Sequence, residues 1–314
     1  MRYISDLKEN EHIVDHYLCK QKQSQKTRAG KTYYALKLQD RTGAIDAKVW
    51  ELTSDIQNFE EGDVVKIDAN VQSYNNELQI KINKLRKSTE GEYSDTDYIP
   101  VTEKDIEAMF AQLTGMIKSI ENKFVKTLLE NIILKDETRM QLLKTHSAAK
   151  HMHHSCKGGL LEHTVSIAEI CDFMCGRYRH INRDILMAGA LLHDIGKLYE
   201  LSPLPQNDYT DDGQMLGHII IGLELVAIEI QKIPGFPHQL GSLIKHLIIS
   251  HHGEYEYGSP KLPSTPEAML LHYADNMDAK LKTFEEVLDK DNTPGPWAGY
   301  QKALARYIRK SEFE

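Results

Sequence analysis

The chain has 314 residues, of which 41% are apolar and 27% are charged, and this composition suits a folded protein with more than one domain. The 46 acidic and 38 basic residues give a net charge of −8, which disfavours binding to nucleic acid by overall charge alone. No uninterrupted apolar run approaches the roughly 20 residues of a membrane span, so we expect no membrane partner. The 4 cysteines form no Cys-x-x-Cys pair, which favours free thiols and a cytoplasmic location.

The first 90 residues are predicted to form a five-stranded OB-fold β-barrel. Short segments rich in β-branched and aromatic residues alternate there with turn signals, such as the one at residues 40–43. Five strands in a segment of this length are typical of a small closed barrel. The predicted strands are residues 13–18, 33–39, 45–50, 64–71 and 77–85.

The barrel sequence is locally basic and aromatic in spite of the overall acidity. No acidic residue interrupts the basic stretch between Lys20 and Lys37. A basic groove with aromatic side chains is how OB-folds hold single strands of nucleic acid. Aromatic residues on strands are as often part of a core, so each of them has two interpretations. The candidate nucleic-acid contacts are Tyr33, Tyr34, Lys37, Trp50, Tyr74 and Lys81.

An acidic segment at residues 90–97 is predicted to be a linker, and helical periodicity dominates from there to the C-terminus. Pro100 ends the segment, and Thr102 with Asp105 is predicted to form a capping box that opens the first helix. We therefore expect a multidomain protein, in which a β-barrel is followed by an all-α domain. The predicted domains are residues 1–90, residues 91–130 as acidic linker and connecting helices, and residues 131–314.

Seven side chains with metal-binding chemistry lie where the second domain is predicted to be helical. Three of them, His163, His251 and Asp275, fall on apolar stripes with helical spacing. Such groups are costly on a core-facing stripe unless they are paired or bound to metal. A lone core histidine is more often bonded to a backbone carbonyl, but a series of such signals on separate helices favours one shared metal site. The set is His163, His193, Asp194, His218, His251, His252 and Asp275.

The adjacent pair His193 and Asp194 indicates two ions or a helix end. Neighbouring residues on a helix point about 100° apart and cannot otherwise aim at one point. Gly196 fits a helix end, and a carboxylate can bridge two cations, so Asp194 is predicted to lie between two ions. The side chains expected around the first ion are His163, His193 and Asp275, and those around the second are His218, His251 and His252.

These ligands indicate a class of chemistry. Mixed imidazole and carboxylate ligands suit manganese, iron, cobalt or zinc better than magnesium. Two such ions about 3.5 to 4 Å apart activate water for attack at phosphorus, which would release a nucleoside 5′-monophosphate from a nucleic-acid end. The candidate catalytic residues are Asp194 and Lys197, because Lys197 is placed to offset charge on a bound phosphate. A second cluster, His151, His153 and His154, has no assigned role.

The seven ligand positions resemble those of the HD superfamily of metal-dependent phosphohydrolases. Together with residues 33–43, 158–164, 193–197, 217–219 and 250–253, they resemble the YhaM-type 3′-to-5′ exoribonucleases over nearly the whole chain. The resemblance implies that residues 131–314 form an HD-type helical domain. It also implies manganese-dependent removal of nucleotides from the 3′ end of single-stranded RNA, or of single-stranded DNA, in the cytoplasm. The ligand chemistry keeps Co²⁺, Fe²⁺ and Zn²⁺ as other candidate ions.

Two alternatives to a nuclease remain at this point. The first is an HD phosphohydrolase that acts on small or cyclic nucleotides and uses the barrel as a regulatory module. The second is a non-catalytic protein that binds single-stranded nucleic acid and keeps a structural or vestigial metal site. In each case, exposed helical surface after Thr102 leaves room for a homo-oligomer.

Overall fold

The computed structural model describes residues 1–27, 29–74, 77–89, 91–94, 97–150, 155–291, 293, 295–301 and 304–311. These residues form two compact units. One contains residues 1–101 and 203–207, and the other contains residues 102–202 and 208–314. The predicted domain boundaries at residues 90 and 130 stay predictions.

The N-terminal unit is a closed barrel of five strands, which confirms the predicted OB-fold architecture. The strand order is β1-β2-β3-β5-β4, and every neighbouring pair is antiparallel except β3 and β5. Buried aliphatic side chains such as Leu38, Ile67 and Ile80 fill the interior, as the alternating pattern of the strands requires. The strands are β1 (His12–Lys26), β2 (Thr32–Asp40), β3 (Gly43–Val49), β4 (Val64–Tyr74) and β5 (Glu77–Lys87).

Strand β1 is much longer than its sequence pattern indicates. Its second half, from Gln21 to Lys26, pairs with β2 but consists of polar side chains. Because neither face of this part enters the core, it lacks the apolar alternation by which strands are recognised. A shift in register between Cys19 and Gln21 marks the change from the buried half of the strand to the exposed half.

The acidic segment after β5 is less free than its composition indicates. Tyr98 is only 3% exposed and packs with Leu18 and Val64 of the barrel. Glu92 accepts hydrogen bonds from the Arg86 guanidinium at 2.6 and 2.8 Å. Tyr98 and Glu92 are single residues within a polar stretch, so the average composition of the stretch does not reveal these contacts. Residues 90, 95 and 96 of the segment lie outside the described residues.

The second unit is built from helices, as expected for an HD domain. Buried side chains such as Leu113, Leu128, Leu161 and Leu247 form one core between them. The helices are α1 (Ile106–Lys118), α2 (Lys123–Leu129), α3 (Glu137–Thr145), α4 (Gly159–Cys175), α5 (Arg183–Leu192), α6 (Lys197–Glu200), α7 (Asp211–Gln231), α8 (His238–Ser250) and α9 (Pro266–Lys290). A π-helical turn (Glu130–Leu134) follows α2, and a 3₁₀ turn (Tyr255–Tyr257) follows α8.

The first helix begins differently from the prediction. Asp105 is itself the N-cap, and its carboxylate accepts a hydrogen bond from the Ala108 amide at 3.0 Å. Thr102 does not cap the helix; its hydroxyl donates to the Glu162 carboxylate at 2.5 Å. Both Thr and Asp are good caps, so the sequence alone did not decide between them.

The end of the chain is a hairpin and not the predicted helix. Strands β6 (Trp297–Gln301) and β7 (Arg306–Arg309) pair in antiparallel fashion. Ala298 and Ile308 are buried, whereas Trp297, Tyr300 and Tyr307 are exposed. Strands this short leave too few alternating positions to distinguish them from a helix.

Helix α7 is long and apolar enough to cross a membrane by length and composition. Core helices of proteins without membrane spans pass the same test, and α7 packs against both α6 and α8. It also carries His218, one of the predicted metal ligands. These contacts favour α7 as a packed element of the helical unit.

Candidate metal centre

The predicted ligands come together because several helices end or bend at one point. His163 and Asp275 lie within helices α4 and α9. His193 is the C-cap of α5, with Asp194 immediately after it, and His251 is the C-cap of α8. A side chain at a helix end escapes the 100° spacing of the helix, so adjacent residues can reach the same centre.

Two glycines allow the backbone to approach the centre. A Cβ atom on Gly196 would lie 2.0 Å from the His218 carbonyl oxygen and 2.7 Å from the Gly222 nitrogen, so only glycine fits there. Gly217 has a φ of 73° and a ψ of 160°, which bends α7 just before His218. An L-residue with a side chain is strained in that conformation. The bend therefore turns His218 toward Asp194 and away from the regular path of α7.

One oxygen of Asp194, Oδ2, faces the predicted first set. It lies 3.4 Å from His163 Nε2 and 3.5 Å from His193 Nε2. The two imidazole nitrogens are 3.2 Å apart, and His163 Nε2 is also 3.2 Å from Asp275 Oδ1. The potential ligand atoms of His163, His193 and Asp194 all lie within 4.8 Å of one another.

The other oxygen, Oδ1, faces the predicted second set. It lies 3.5 Å from His218 Nε2 and 3.7 Å from His251 Nε2. The potential ligand atoms of His218, His251 and His252 also lie within 4.8 Å of one another. The structure thus brings together all seven predicted ligands and divides them along the two oxygens of Asp194; their binding of metal stays a prediction.

The far nitrogens of the imidazoles determine which atoms face the centre. Nδ1 of His193 lies 3.0 Å from the Ala190 carbonyl oxygen, and Nδ1 of His251 lies 2.7 Å from that of Ile248. Nδ1 of His252 makes a 2.7 Å contact with the Tyr257 carbonyl oxygen. Because a carbonyl can only accept, each Nδ1 must carry the proton, and the Nε2 of each neutral ring presents a lone pair.

Two carboxylates that the sequence analysis did not identify complete this arrangement. Glu200 Oε1 accepts from the His218 backbone amide at 2.9 Å and from His218 Nδ1 at 3.0 Å. Asp278 Oδ2 lies 3.2 Å from His163 Nδ1, while its Oδ1 accepts from the Ser166 hydroxyl at 2.6 Å. Asp278 could have been found, since it follows Asp275 by three residues on one helix face. Glu200 carried no comparable signal, because the bend at Gly217 is what brings His218 to it.

Three buried atoms at the centre fit a cation. Asp194 Oδ1, His218 Nε2 and His251 Nε2 have no hydrogen-bond partner among the described residues. In the neutral form that binds a metal, with the proton on Nδ1, each of these two rings points the lone pair of Nε2 at a carboxylate oxygen that can only accept. Leaving a buried polar group unpaired costs about 1–3 kcal/mol, so three such groups at one point indicate a missing positive charge. Imidazole and carboxylate are suitable ligands for a divalent transition metal.

The electrostatics of the second set also suit a cation. Burial lowers the pKa of His251 well below its ordinary value, and the nearby His252 and His193 lower it further. Burial and His218 likewise lower the pKa of His252. Neutral imidazole is the form that binds a metal.

The first set differs in its charge state. Burial alone would lower the pKa of His163, but its hydrogen bonds to Asp275 and Asp278 raise it to about 9. Burial alone would raise the pKa of Asp194, but the ammonium of Lys197 holds it well below its usual range. Lys197 Nζ lies 2.7 Å from Asp194 Oδ2, and this contact raises the pKa of Lys197 although burial opposes it. Without a metal, the ammonium of Lys197 and the proton on His163 therefore offset negative charge on the Oδ2 side of Asp194.

The predicted nucleic-acid contacts lie on the barrel. Tyr33 and Trp50 stack on each other with ring centroids 4.7 Å apart and an angle of 26° between the rings. Lys48, which the sequence analysis did not single out, lies 5.8 Å from the Tyr33 ring centre and is the register partner of Lys81. Alternation along the strands places Tyr33, Lys48 and Lys81 on the outer face of the barrel, beside the exposed Trp50.

The remaining barrel candidates are placed differently. The Tyr34 ring packs edge-on against Phe59 with centroids 6.1 Å apart, so it borders the core and is not part of the outer face. Lys37 pairs with Asp46 at 3.3 Å, which offsets its charge. Tyr74 is 64% exposed at the end of β4. His151, His153 and His154 lie outside the described residues.

Comparison with known proteins gives matches for both units. Residues 160–280 match the HD domain family, and residues 20–87 match the family described as an OB-fold nucleic acid binding domain. The chain is 33% identical over 263 residues to the 3′-5′ exoribonuclease YhaM of Geobacillus sp. (strain WCH70), which covers 83% of this chain and 80% of that protein.

Among solved structures, similar chains include two archaeal OB domains. The second OB-fold domain of replication protein A from Methanococcus maripaludis is 22% identical, with a TM-score of 0.24, and covers 29% of this chain and 98% of its own. An OB domain from Methanosarcina mazei is 21% identical, also with a TM-score of 0.24, and covers 28% of this chain and 82% of its own.

The three unpaired buried atoms predict that divalent cations stabilise the fold. Adding Mn²⁺ to metal-free protein should raise the melting temperature, because an ion at 100 times its dissociation constant contributes about 2.7 kcal/mol to the free energy of unfolding. Asp194→Asn should abolish most of this shift, whereas the same change at the exposed Asp212 should leave it intact. Thermal unfolding with and without Mn²⁺ measures both, and an equal shift in the two variants would contradict the assignment.

Glu200 is predicted to position one ligand of the second set. Glu200→Ala should weaken binding of one of two ions by about 10- to 100-fold, since it removes the acceptor that orients His218. Glu200→Gln is the matched control, because its amide oxygen can still accept from the His218 amide and imidazole. Calorimetric titration with Mn²⁺ should show one strong and one weakened site for the alanine variant. Two unchanged sites would show that Glu200 does not act on the metal.

Proposed function

The chain belongs to the family of the 3′-5′ exoribonuclease YhaM, and from this premise we propose that it is a metal-dependent 3′-5′ exoribonuclease. The reaction is hydrolysis of the terminal phosphodiester of a single strand, with release of nucleoside 5′-monophosphates. One observation carries the proposal beyond family membership. The buried Asp194 directs one oxygen at His163 and His193 and the other at His218 and His251, so that this side chain could help to hold a divalent cation with each pair of histidines.

The centre supplies the chemistry of hydrolysis without a separate general base. Two bound divalent cations would supply a nucleophile from water at neutral pH and offset charge on the reacting phosphate. Asp194 would hold both of them, and Glu200 and Asp278 would hold the imidazoles His218 and His163 in place. Lys197 stays protonated, so its ammonium can attract the terminal phosphate.

The proposed ions are two Mn²⁺. The described ligands are imidazoles and carboxylates with no thiolate, a set that suits Mn²⁺ and also Fe²⁺, Co²⁺ or Zn²⁺. Mg²⁺ prefers oxygen ligands and water, so a centre rich in imidazole disfavours it. The preference for manganese comes from the resemblance to the family.

The proposed substrate is single-stranded RNA, with single-stranded DNA as a second substrate. The outer face of the barrel offers the Tyr33–Trp50 stack for bases, and Lys48 and Lys81 for phosphates. Every base has a ring face, so stacking of this kind tolerates any sequence, as an exonuclease requires.

We further propose that the protein is cytoplasmic and associates with itself. All four cysteines are free thiols, and burial raises the pKa of Cys171 to about 12 and that of Cys156 to about 11. Buried, protonated thiols are typical of a reducing compartment.

Neither a small-nucleotide hydrolase nor a purely binding protein is favoured, because the relative that covers most of this chain is named an exoribonuclease.

The polarity and the metal requirement can be tested together. With Mn²⁺, 5′-labelled single-stranded RNA should shorten stepwise from its 3′ end, and a hairpin should stop the ladder at the duplex. His251→Ala should reduce the rate by at least about 1000-fold, because the loss of one metal ligand removes most of the stabilisation of the transition state. His238→Ala, at the other end of the same helix and exposed, is the control. Full activity of His251→Ala, or shortening from the 5′ end, would refute the proposal.

Adjacent tyrosines on β2 provide a test of the barrel surface. Tyr33→Ala should weaken binding of single-stranded RNA at constant stability, since a stacked base contributes about 1–3 kcal/mol. Tyr34→Ala should instead lower the melting temperature of the protein, because its ring packs on Phe59. Fluorescence anisotropy with labelled RNA and thermal unfolding separate the two effects. Equal loss of affinity in both variants at unchanged stability would contradict this assignment of the faces.

A further inference from the structure

Helix α9 has a second face that the metal centre does not use. Its inner face carries Asp275 and Asp278, which contact His163. Its outer face carries Met269, Tyr273 and Met277, which are 43%, 61% and 46% exposed. These residues are four apart and therefore form one row along the helix. A row of large exposed apolar side chains is unusual on a surface that stays in water.

The row continues onto the neighbouring helix α4 and forms two grooves. One groove, of about 490 Å³, lies between Phe173 of α4 and Met277 of α9. The other, of about 460 Å³, lies between Tyr178 and Met269. Tyr273 lines both grooves and stands between them, and Phe173 is 70% exposed. The surface therefore offers protruding aromatic rings and apolar grooves side by side.

A surface with both features is complementary to itself. In a two-fold dimer the same patch meets its own copy, so each protruding ring can enter a groove of the partner. Buried aromatic side chains in apolar grooves are the usual anchors of protein interfaces. A second copy of this chain thus satisfies both features at once.

The charges at the two ends of the row indicate the orientation. Arg177 and Arg179 are exposed beside the N-terminal end, where Arg179 lines the groove with Met269. Glu285 and Asp289 are exposed at the C-terminal end of α9, where Glu285 also accepts a hydrogen bond from the Lys282 ammonium at 2.7 Å. Antiparallel helices would bring the basic end of one copy to the acidic end of the other, whereas parallel helices would oppose like charges.

The helix geometry locates the two-fold axis. Met269 and Glu285 each lie eight residues from Met277, which is about 12 Å along a helix at 1.5 Å per residue. If Met277 lies on the axis of an antiparallel pair, Met269 is level with Glu285 of the partner subunit. Arg179 then faces the same acidic end.

We propose that two copies of this chain dimerise through the outer face of α9 and the adjoining part of α4, with Met277 at the two-fold axis. The inference rests on the proposed self-association and is independent of the nuclease activity. Tyr273 enters a groove of the partner, and the pairs Arg179 and Glu285 flank the apolar centre on both sides.

A charge at the axis tests the surface. Met277→Glu places two carboxylates opposite each other, so the full-length protein should change from dimer to monomer with at least about 10-fold weaker association. Met215→Glu, at an 81% exposed position of α7, is the matched control and should stay dimeric. Sedimentation of both variants and the wild type at 1–50 µM, which brackets a micromolar dissociation constant, measures the change.

Charge exchange and cross-linking distinguish a lost dimer contact from a variant that fails to fold. Arg179→Glu and Glu285→Arg should each weaken the dimer, and the double variant should restore it, which a misfolded chain cannot do. Met277→Cys should form a disulfide with the same residue of the second copy, whereas Met215→Cys should not.

The possible outcomes test self-association and the choice of surface separately. A wild-type protein that remains monomeric at 50 µM overturns self-association and this surface together. A dimer that persists in Met277→Glu overturns the surface alone. Neither result bears on the RNA assay, because Met277, Glu285 and Arg179 are exposed and none of them is a predicted metal ligand.

Discussion

The buried carboxylate of Asp194 is the constraint on which the helical unit depends. It is 3% exposed and is surrounded by imidazoles whose far nitrogens are already bonded to acceptors. Two of the near nitrogens and one carboxylate oxygen therefore face each other with lone pairs only. Protonation of His251 at Nε2 would supply a donor, but burial opposes that charge by lowering the pKa of His251. The fold therefore brings acceptors together at a point that suits a divalent cation.

The two sides of Asp194 are not equivalent. At Oδ2, Lys197 supplies a positive charge, and the raised pKa of His163 supplies a proton. At Oδ1, burial lowers the pKa of His251 and of His252, so these two imidazoles are neutral. A cation on the first side must replace a proton and share the carboxylate with an ammonium, whereas a cation on the second side meets the neutral imidazoles of His251 and His252. The two sides of the proposed centre therefore differ in charge before any ion or substrate binds.

The sequence predicted the residues that meet at this centre better than it predicted the glycines and carboxylates that position them. Ligand types and helical stripes are local properties, so His163, His251 and Asp275 were recognisable from their neighbours. The bend at Gly217 and the close approach at Gly196 depend on contacts between helices. A single sequence carries no record of such contacts, which is why Glu200 was missed although it orients His218.

The same limit explains what was missed in the fold. The barrel was predictable where one face of a strand is buried, and the polar half of β1 was missed because neither face is buried. Asp105 and Thr102 were both recognised near the start of α1, but their roles were assigned incorrectly, since the cap is the residue whose extended backbone directly precedes the helix, and that residue is Asp105. The C-terminal hairpin has no core-facing pattern long enough to distinguish it from a helix.

Opposite faces of one element carry different functions in both units. On β2 the period of two places Tyr33 outside and Tyr34 against the core, although the two residues are adjacent and identical. On α9 the helical period places Asp275 toward His163 and Tyr273 toward solvent. The contacts of one face are separate from those of the other, because side chains one turn apart share a face of the helix and those half a turn apart do not. One stretch of helix therefore holds Asp275 beside His163 and still leaves an apolar surface for a second copy of the chain, without either arrangement depending on the other.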